Sequence, residues 1–269
     1  MARLTESFAA ARAEGRAALV GYLPAGFPSV AGAVEVLRAM IDGGVDIVEV
    51  GLPYSDPLMD GPVIQQAAEA ALRGGTTPSD VVRTVEAVAA TGVPTVVMTY
   101  WNPVLQYGPA RFARDLAAAG GCGVITPDLI PDEAGEWIPA ARATEIDTIF
   151  LVAPSSTDAR LAATVEACRG FVYATSVMGV TGARAAVGGA AAELVARTRA
   201  VTQLPVAVGL GVSSGEQAAE VAGFADGVIV GSAFVRRVLD APDVGAAAAA
   251  AGKLAQELAS GVGQNAPAG

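Results

Sequence analysis

The chain contains no histidine, so acid–base chemistry near neutral pH falls to carboxylates, or to a tyrosine, cysteine or shifted lysine. The same absence rules out Ser-His-Asp triads, Cys-His pairs and histidine-ligated metals. Among the carboxylates, Glu49 stands inside the apolar run Val45-Asp46-Ile47-Val48-Glu49-Val50-Gly51-Leu52. Side chains alternate along a strand, so Ile47, Glu49 and Gly51 share one face and Val48, Val50 and Leu52 the other. An acid buried there loses hydration, which disfavours its charged form and raises its pKa toward that of a neutral-pH proton donor. The competing reading is a glutamate held in a core ion pair, although the strand-like runs offer it no obvious basic partner. The next segment, Pro53-Tyr54-Ser55-Asp56-Pro57-Leu58-Met59-Asp60-Gly61-Pro62, sets Asp56 and Asp60 among prolines that restrict the chain. Either acid alone reads as a solvated turn residue. With Glu49 just upstream, a two-carboxylate site is the better reading.

A second chemistry lies late in the chain. Met178-Gly179-Val180-Thr181-Gly182-Ala183, Gly209-Leu210-Gly211-Val212-Ser213 and Gly231-Ser232-Ala233 each place glycine where a strand gives way to a loop. Glycine lets backbone N–H groups approach an anion closely, and the last motif opens a short helical segment, 233–239, whose N-terminus favours negative charge. One glycine is weak evidence, but three successive strand ends of this kind point to a phosphate site.

These groups need a scaffold. Val/Ile-rich runs recur at 18–23, 45–52, 94–100, 123–127, 147–152, 171–175, 205–210 and 227–231, separated by amphipathic or alanine-rich stretches. Helix starts are legible at Ser29 (helix 30–44), at Thr77-Pro78, at Asp132 (helix 133–145) and at a Ser213–Glu216 capping box. Strict β–α alternation with continuously apolar strands argues a parallel sheet covered on both faces. Eight such units in one chain predict an α/β fold, a closed (βα)8 TIM barrel, forming a single domain over residues 1–269. The absence of G-x-G-x-x-G after the first strand weakens the open dinucleotide-binding alternative. An extra N-terminal helix, 5–14, is expected to cover the barrel bottom, and residues 262–269 read as a disordered tail.

Composition removes other functions. Seventeen Lys plus Arg against 27 Asp plus Glu leave a formal charge of −10 over 269 residues, which lacks the positive field that nucleic acid requires. No apolar stretch of about 18 residues runs uninterrupted, and the start Met1-Ala2-Arg3-Leu4-Thr5-Glu6 carries no apolar signal core, so neither membrane nor export is expected. Cys122 and Cys168 stand in apolar segments and read as reduced cytoplasmic core thiols; two cysteines cannot build a tetrahedral zinc site.

Several stretches together resemble the tryptophan synthase α subunit family. They are Gly21-Tyr22-Leu23-Pro24-Ala25-Gly26, Glu49 through Pro57, Asp60-Gly61-Pro62-Val63-Ile64-Gln65, Gly179-Val180-Thr181-Gly182 and Gly231-Ser232-Ala233. The resemblance implies a lyase that splits indole-3-glycerol phosphate into indole and glyceraldehyde 3-phosphate in L-tryptophan biosynthesis. It makes Glu49 the proton-shuttling group and Asp60 the acceptor of the indole N–H. It places Tyr22, Met98 and Leu210 around the indole ring, with Tyr173 beside the substrate. Gly182, Gly211, Gly231 and Ser232 fall near the phosphate, and the loop bearing Thr181 closes over the site. It implies no metal and no cofactor in this chain, with pyridoxal phosphate in a β-subunit partner and an α2β2 heterotetramer. The Asp56 loop, the Tyr100–Val104 region and the Asp128–Pro131 turn would face that partner. Tyr22, Leu210, Val177 and Met59 depart from the commonest family residues, but none removes a proton-carrying group. Two other functions compete: a different phosphate-binding barrel enzyme, which would need other strand-end residues, and a weakly catalytic activator of the partner, which would have lost one of the acids.

Overall fold

The structure, a computed structural model, describes residues 4–175, 184–209 and 211–264. Its strands are β1 (Ala18–Pro24), β2 (Ile47–Gly51), β3 (Thr95–Met98), β4 (Gly123–Ile125), β5 (Asp147–Ile149), β6 (Leu151–Val152), β7 (Val172–Thr175), β8 (Val206–Gly209) and β9 (Gly227–Val230). Every pairing is parallel, in the order β5-β4-β3-β2-β1-β9-β8-β7-β6. Only Phe150 separates β5 from β6, so the two ends of the sheet are halves of one apolar run. The first half pairs with β4 and the second with β7. The sheet closes on itself through that residue, and the eight expected staves form the barrel.

The strands are buried on both faces for different reasons. Val48, Val50, Val97, Val124, Val172, Val208, Val228 and Val230 face outward and pack under the surrounding helices. Val20, Ile47, Val96, Ile125, Ile149, Phe171, Ala207 and Ile229 face inward and fill the lower barrel, as the pleat's two-residue period requires. The helix Leu4–Ala13, one residue earlier than expected, inserts Leu4, Phe8 and Ala11 into that inner cluster from below. Phe8 meets Phe171 with ring centroids 5.4 Å apart. At the same end Arg16 holds both oxygens of Asp46, at 2.6 and 2.8 Å, and a third bond comes from the Leu19 N–H at 2.8 Å. The bottom is thereby plugged, and any cavity for chemistry is left to the opposite end.

Several local expectations hold. Ser29 caps the helix Val30–Asp42 by accepting from the Gly32 N–H, and Thr77 with Asp80 forms a capping box on Pro78–Ala89. Three require correction. The helix expected over 133–145 is a 3-10 turn, Pro131–Glu133, followed by the short helix Trp137–Ala143. Pro139 lacks an N–H and its ring would collide with a helical carbonyl at Gly135, so it fits only in a first turn. The capping serine before Gly215–Ala222 is Ser214, whose Oγ accepts from Gln217 N–H, while Gln217 Oε1 accepts from Ser213 N–H at 2.8 Å. The C-terminal helix Val244–Val262 carries the chain one residue into the expected tail, with Val262 fully buried.

Candidate active site

β1 and β2 place Tyr22 directly beside Glu49, and β3 places Val96 on its other side. Glu49 therefore points into the barrel, one inward layer above Ile47 and the apolar plug. Its side chain is 1% exposed, and its Oε2 accepts no hydrogen bond among the described residues. Burial alone raises its pKa from 4.5 to about 8. Among the described residues no cation pairs with Glu49, so the alternative of a core ion pair finds no support there, and desolvation is the cause of the rise. A carboxyl with a pKa near 8 is largely protonated at neutral pH.

Two tyrosines wall the acid. The Tyr22 phenol lies over Gly51, the next inward position on β2, and its ring edge lies near Gly231, where an added Cβ would come within 3.3 Å. Tyr173 on β7 lies over Gly209, and a Cβ there would approach its hydroxyl to 2.5 Å. Glycines at 51 and 209 are thus what let two phenols lean across the barrel mouth. Both phenols are pushed well above the usual tyrosine range, by burial first and then by the neighbouring carboxylates. They remain hydrogen-bond donors at any physiological pH. Met98, paired with Gly51 across the β2–β3 ladder, is half-buried and touches both the inner and outer clusters.

The loop after β2 turns one of its two acids toward this mouth. Asp60 is half-buried, and its Oδ1 accepts from the Tyr100 hydroxyl at 2.9 Å. Burial raises its pKa while that hydrogen bond opposes the rise. Its backbone carbonyl accepts from Gln65 Nε2 at 2.7 Å, which ties the loop to the helix Pro62–Arg73. Asp56 instead is exposed and accepts from Ser55 Oγ at 2.6 Å. The same loop leaves Leu58 and Met59 75% and 54% exposed, and a further exposed apolar residue, Leu105, stands on the helix Trp101–Tyr107. Asn102 of that helix donates to the Tyr54 hydroxyl at 3.1 Å, so loop and helix form one surface.

At the late strand ends, Gly211 has φ +67°, a left-handed conformation that glycine adopts without strain. Gly231 is the N-cap of the helix Ser232–Leu239, and no side chain caps it. Among the described residues no side chain accepts from the first-turn amides of that helix, and such amides are the kind of group an anion can accept from. Val177, Thr181, Gly182 and Leu210 lie outside the described residues. Sequence reasoning misses the inward role of Tyr100, which the resemblance sets on the partner-facing surface. The signal is available: Val96 and Met98 share one parity along β3, and Tyr100, two residues past its end, continues that parity. Asp128, set on the same outer surface, accepts from the Trp101 N–H at 2.9 Å and so fixes the chain next to Tyr100.

A closed parallel (βα)8 barrel with its buried acid and glycine-rich strand ends at the C-terminal mouth belongs to the class of barrel enzymes that act on small phosphorylated substrates. The sequence matches the tryptophan synthase alpha chain family over residues 8–262. It is 63% identical over 267 residues to the tryptophan synthase alpha chain of Salinispora tropica, covering 99% of this chain and 100% of that one. It is also 63% identical over 265 residues to that of Thermobifida fusca, covering 97% and 98%. Among solved structures, tryptophan synthase from M. tuberculosis superposes with a TM-score of 0.89 at 55% identity, covering 97% of this chain and 99% of that chain. The chain belongs to the tryptophan synthase alpha chain family.

Proposed function

We propose that this chain performs the alpha reaction of tryptophan synthase, cleaving indole-3-glycerol phosphate to indole and glyceraldehyde 3-phosphate, with Glu49 and Asp60 as its two working carboxylates. The observation that carries the reading is the Glu49 carboxyl, 1% exposed, with Oε2 unpartnered among the described residues and a pKa near 8. Protonated Glu49 gives its proton to the indole carbon that bears the side chain. The ring nitrogen becomes cationic, and Asp60, accepting from its N–H, stabilises that charge. The carbon–carbon bond then breaks with its electron pair returning to the ring. Glu49, now a carboxylate, takes the proton of the adjacent hydroxyl as the aldehyde forms, and ends the cycle protonated. One group serves as acid and then base because its pKa lies close to the working pH. Tyr22, Met98 and Leu210 line the ring and Tyr173 flanks the reacting carbon. Gly182, Gly211, Gly231 and Ser232 receive the phosphate through backbone amides, and the Thr181 loop covers the substrate.

The exposed Leu58, Met59 and Leu105 support docking of a β subunit on the loop and helix that flank Asp60. We infer an α2β2 assembly in which pyridoxal phosphate belongs to that partner and this chain needs no cofactor. Two free, buried cysteines fit a reducing cytoplasm, and among the described residues no helix is long and apolar enough to cross a membrane.

The test is indole release by Glu49→Gln, with and without a β subunit. The variant is expected to be inactive while still folded and still binding glycerol phosphate. Turnover at the wild-type rate refutes the role of Glu49.

A further inference from the structure

Tyr100 is 5% exposed and stands at the N-terminus of the helix Trp101–Tyr107. Its backbone is held on both sides: its carbonyl accepts from Thr99 Oγ1 at 2.9 Å, and the next amide, Trp101 N–H, donates to both Asp128 oxygens at 2.9 and 3.2 Å. Its ring packs against Tyr54 with centroids 5.5 Å apart. From this fixed post the phenol makes two bonds to the acid-bearing loop. It donates to Asp60 Oδ1 at 2.9 Å and accepts from the Met59 N–H at 3.0 Å.

We propose that Tyr100 is a positioning residue for the lyase reaction, holding Asp60 by one carboxylate oxygen and leaving the other to accept from the indole N–H. The inference rests on the function proposed above and names a group that this function did not require. A carboxylate has two oxygens and about four acceptor sites, so one phenol does not saturate it. A hydroxyl that donates to a carboxylate stabilises the charged form. Among the described residues the other titratable groups gathered at this mouth are acids or phenols: Tyr22 from β1, which feels the charge of Asp60, Glu49 from β2 and Tyr173 from β7, with Tyr54 and Asp56 on Asp60's own loop. No ion pair to Asp60 forms among the described residues, so among them the Tyr100 phenol is the side-chain donor that opposes the rise burial imposes on this carboxyl. The phenol itself is pushed up to about 12, chiefly by burial, and remains protonated throughout the working range.

The test is the pH profile of kcat/KM for indole release by the full chain, wild type against Tyr100→Phe. The variant is expected to lose on the order of 10-fold in kcat, the size for one hydrogen bond to a charged group, with KM changed by less than about 2-fold. Its acid limb is expected at higher pH, because Asp60 without the phenol protonates more readily. The substrate phosphate titrates identically in both enzymes and cannot produce the difference. An acid limb that stays in place overturns the proposal, whether or not the rate has fallen. Should Tyr100→Phe fail to fold, 3-fluorotyrosine at position 100 keeps the shape and makes the phenol a stronger donor. The acid limb then moves to lower pH, and an unmoved limb again overturns the proposal. Asp60→Asn separates the two claims. Wild-type turnover of that variant removes Asp60 from the reaction altogether. An inactive Asp60→Asn beside an unmoved limb in Tyr100→Phe refutes only the role of Tyr100.

Discussion

Replacing Glu49 by glutamine removes the proposed proton carrier, and the same change is expected to make the protein more stable at alkaline pH. In the folded chain the carboxyl titrates near 8, against 4.5 when exposed. Below about pH 4.5 it is protonated in both states and burial carries no ionisation cost. As pH rises above 4.5 the unfolded chain loses the proton while the folded chain keeps it, so stability declines until about pH 8, where the folded group also ionises. Every tenfold difference in acidity between the folded and unfolded carboxyl is worth about 1.4 kcal/mol. Between pH 5 and pH 8 the wild type should therefore lose roughly 3 kcal/mol through this one group, a large share of the 5–15 kcal/mol typical of a folded domain. Glutamine has the same shape and no ionisation, so Glu49→Gln should not share that decline. Urea unfolding of both proteins at pH 5 and pH 8 measures the difference directly. The stability advantage of the variant should grow by roughly 3 kcal/mol between the two pH values. An advantage that is the same at both refutes the claim that the carboxyl is held dry, and with it the reason for its proton-donating state.

Two further outcomes test the surrounding parts. Asp60→Asn should lower kcat on the order of 100-fold or more, the usual range for removing one group that stabilises transition-state charge, with folding unaffected. An unchanged rate would move the contact with the indole nitrogen elsewhere. Gly51→Ala puts a methyl group against the Tyr22 phenol and should raise KM for indole-3-glycerol phosphate about 10-fold or more as the ring pocket narrows. Because Gly51 is also backbone-paired with Pro24 and Met98, a thermal melt accompanies the assay; wild-type KM in a folded variant would show that Tyr22 does not border the ring.

The barrel is legible in the sequence because its signals are local and repeated. Each stave is a short β-branched run, and simple parity separates the inward and outward sets, which is enough to aim Glu49 into the barrel. The run 147–152 reads as one strand for the same reason, although its two halves hydrogen-bond to different neighbours across Phe150. Where the sequence misleads, single residues act against a general pattern. Pro139 breaks a helix whose amphipathic spacing looks continuous, and the capping serine shifts by one because Gln217, not Glu216, occupies the third helical position. The acids show the same limit more sharply. Asp56 and Asp60 stand on one constrained loop with nothing in their spacing to separate them. The structure separates them through Tyr100, forty residues away in sequence from Asp60, whose hydroxyl selects one of the two. No local pattern carries a contact of that range.

The placement of Glu49 also accounts for the arrangement of the rest. A carboxyl one inward layer above a full apolar plug cannot be hydrated from below, and Tyr22 and Tyr173 lie across it from above only because positions 51 and 209 are glycine. Its raised pKa is therefore set by the strands, which are the rigid part of the barrel. Asp60 must instead meet the ring nitrogen of an incoming substrate, and it sits on a loop. Burial raises the pKa of this half-buried loop acid, and the Tyr100 hydrogen bond is what opposes the rise. Burial raises the pKa of both carboxylates, but only one rise is opposed: desolvation by the sheet acts alone on Glu49, whereas a single phenol anchored through Asp128 works against it at Asp60. That phenol also bonds Met59, and Met59 is half of the exposed apolar pair on the same loop. Whatever covers Leu58 and Met59 must press on the segment that carries Asp60, so the surface offered to a partner and the charge state of the site meet at one hydroxyl.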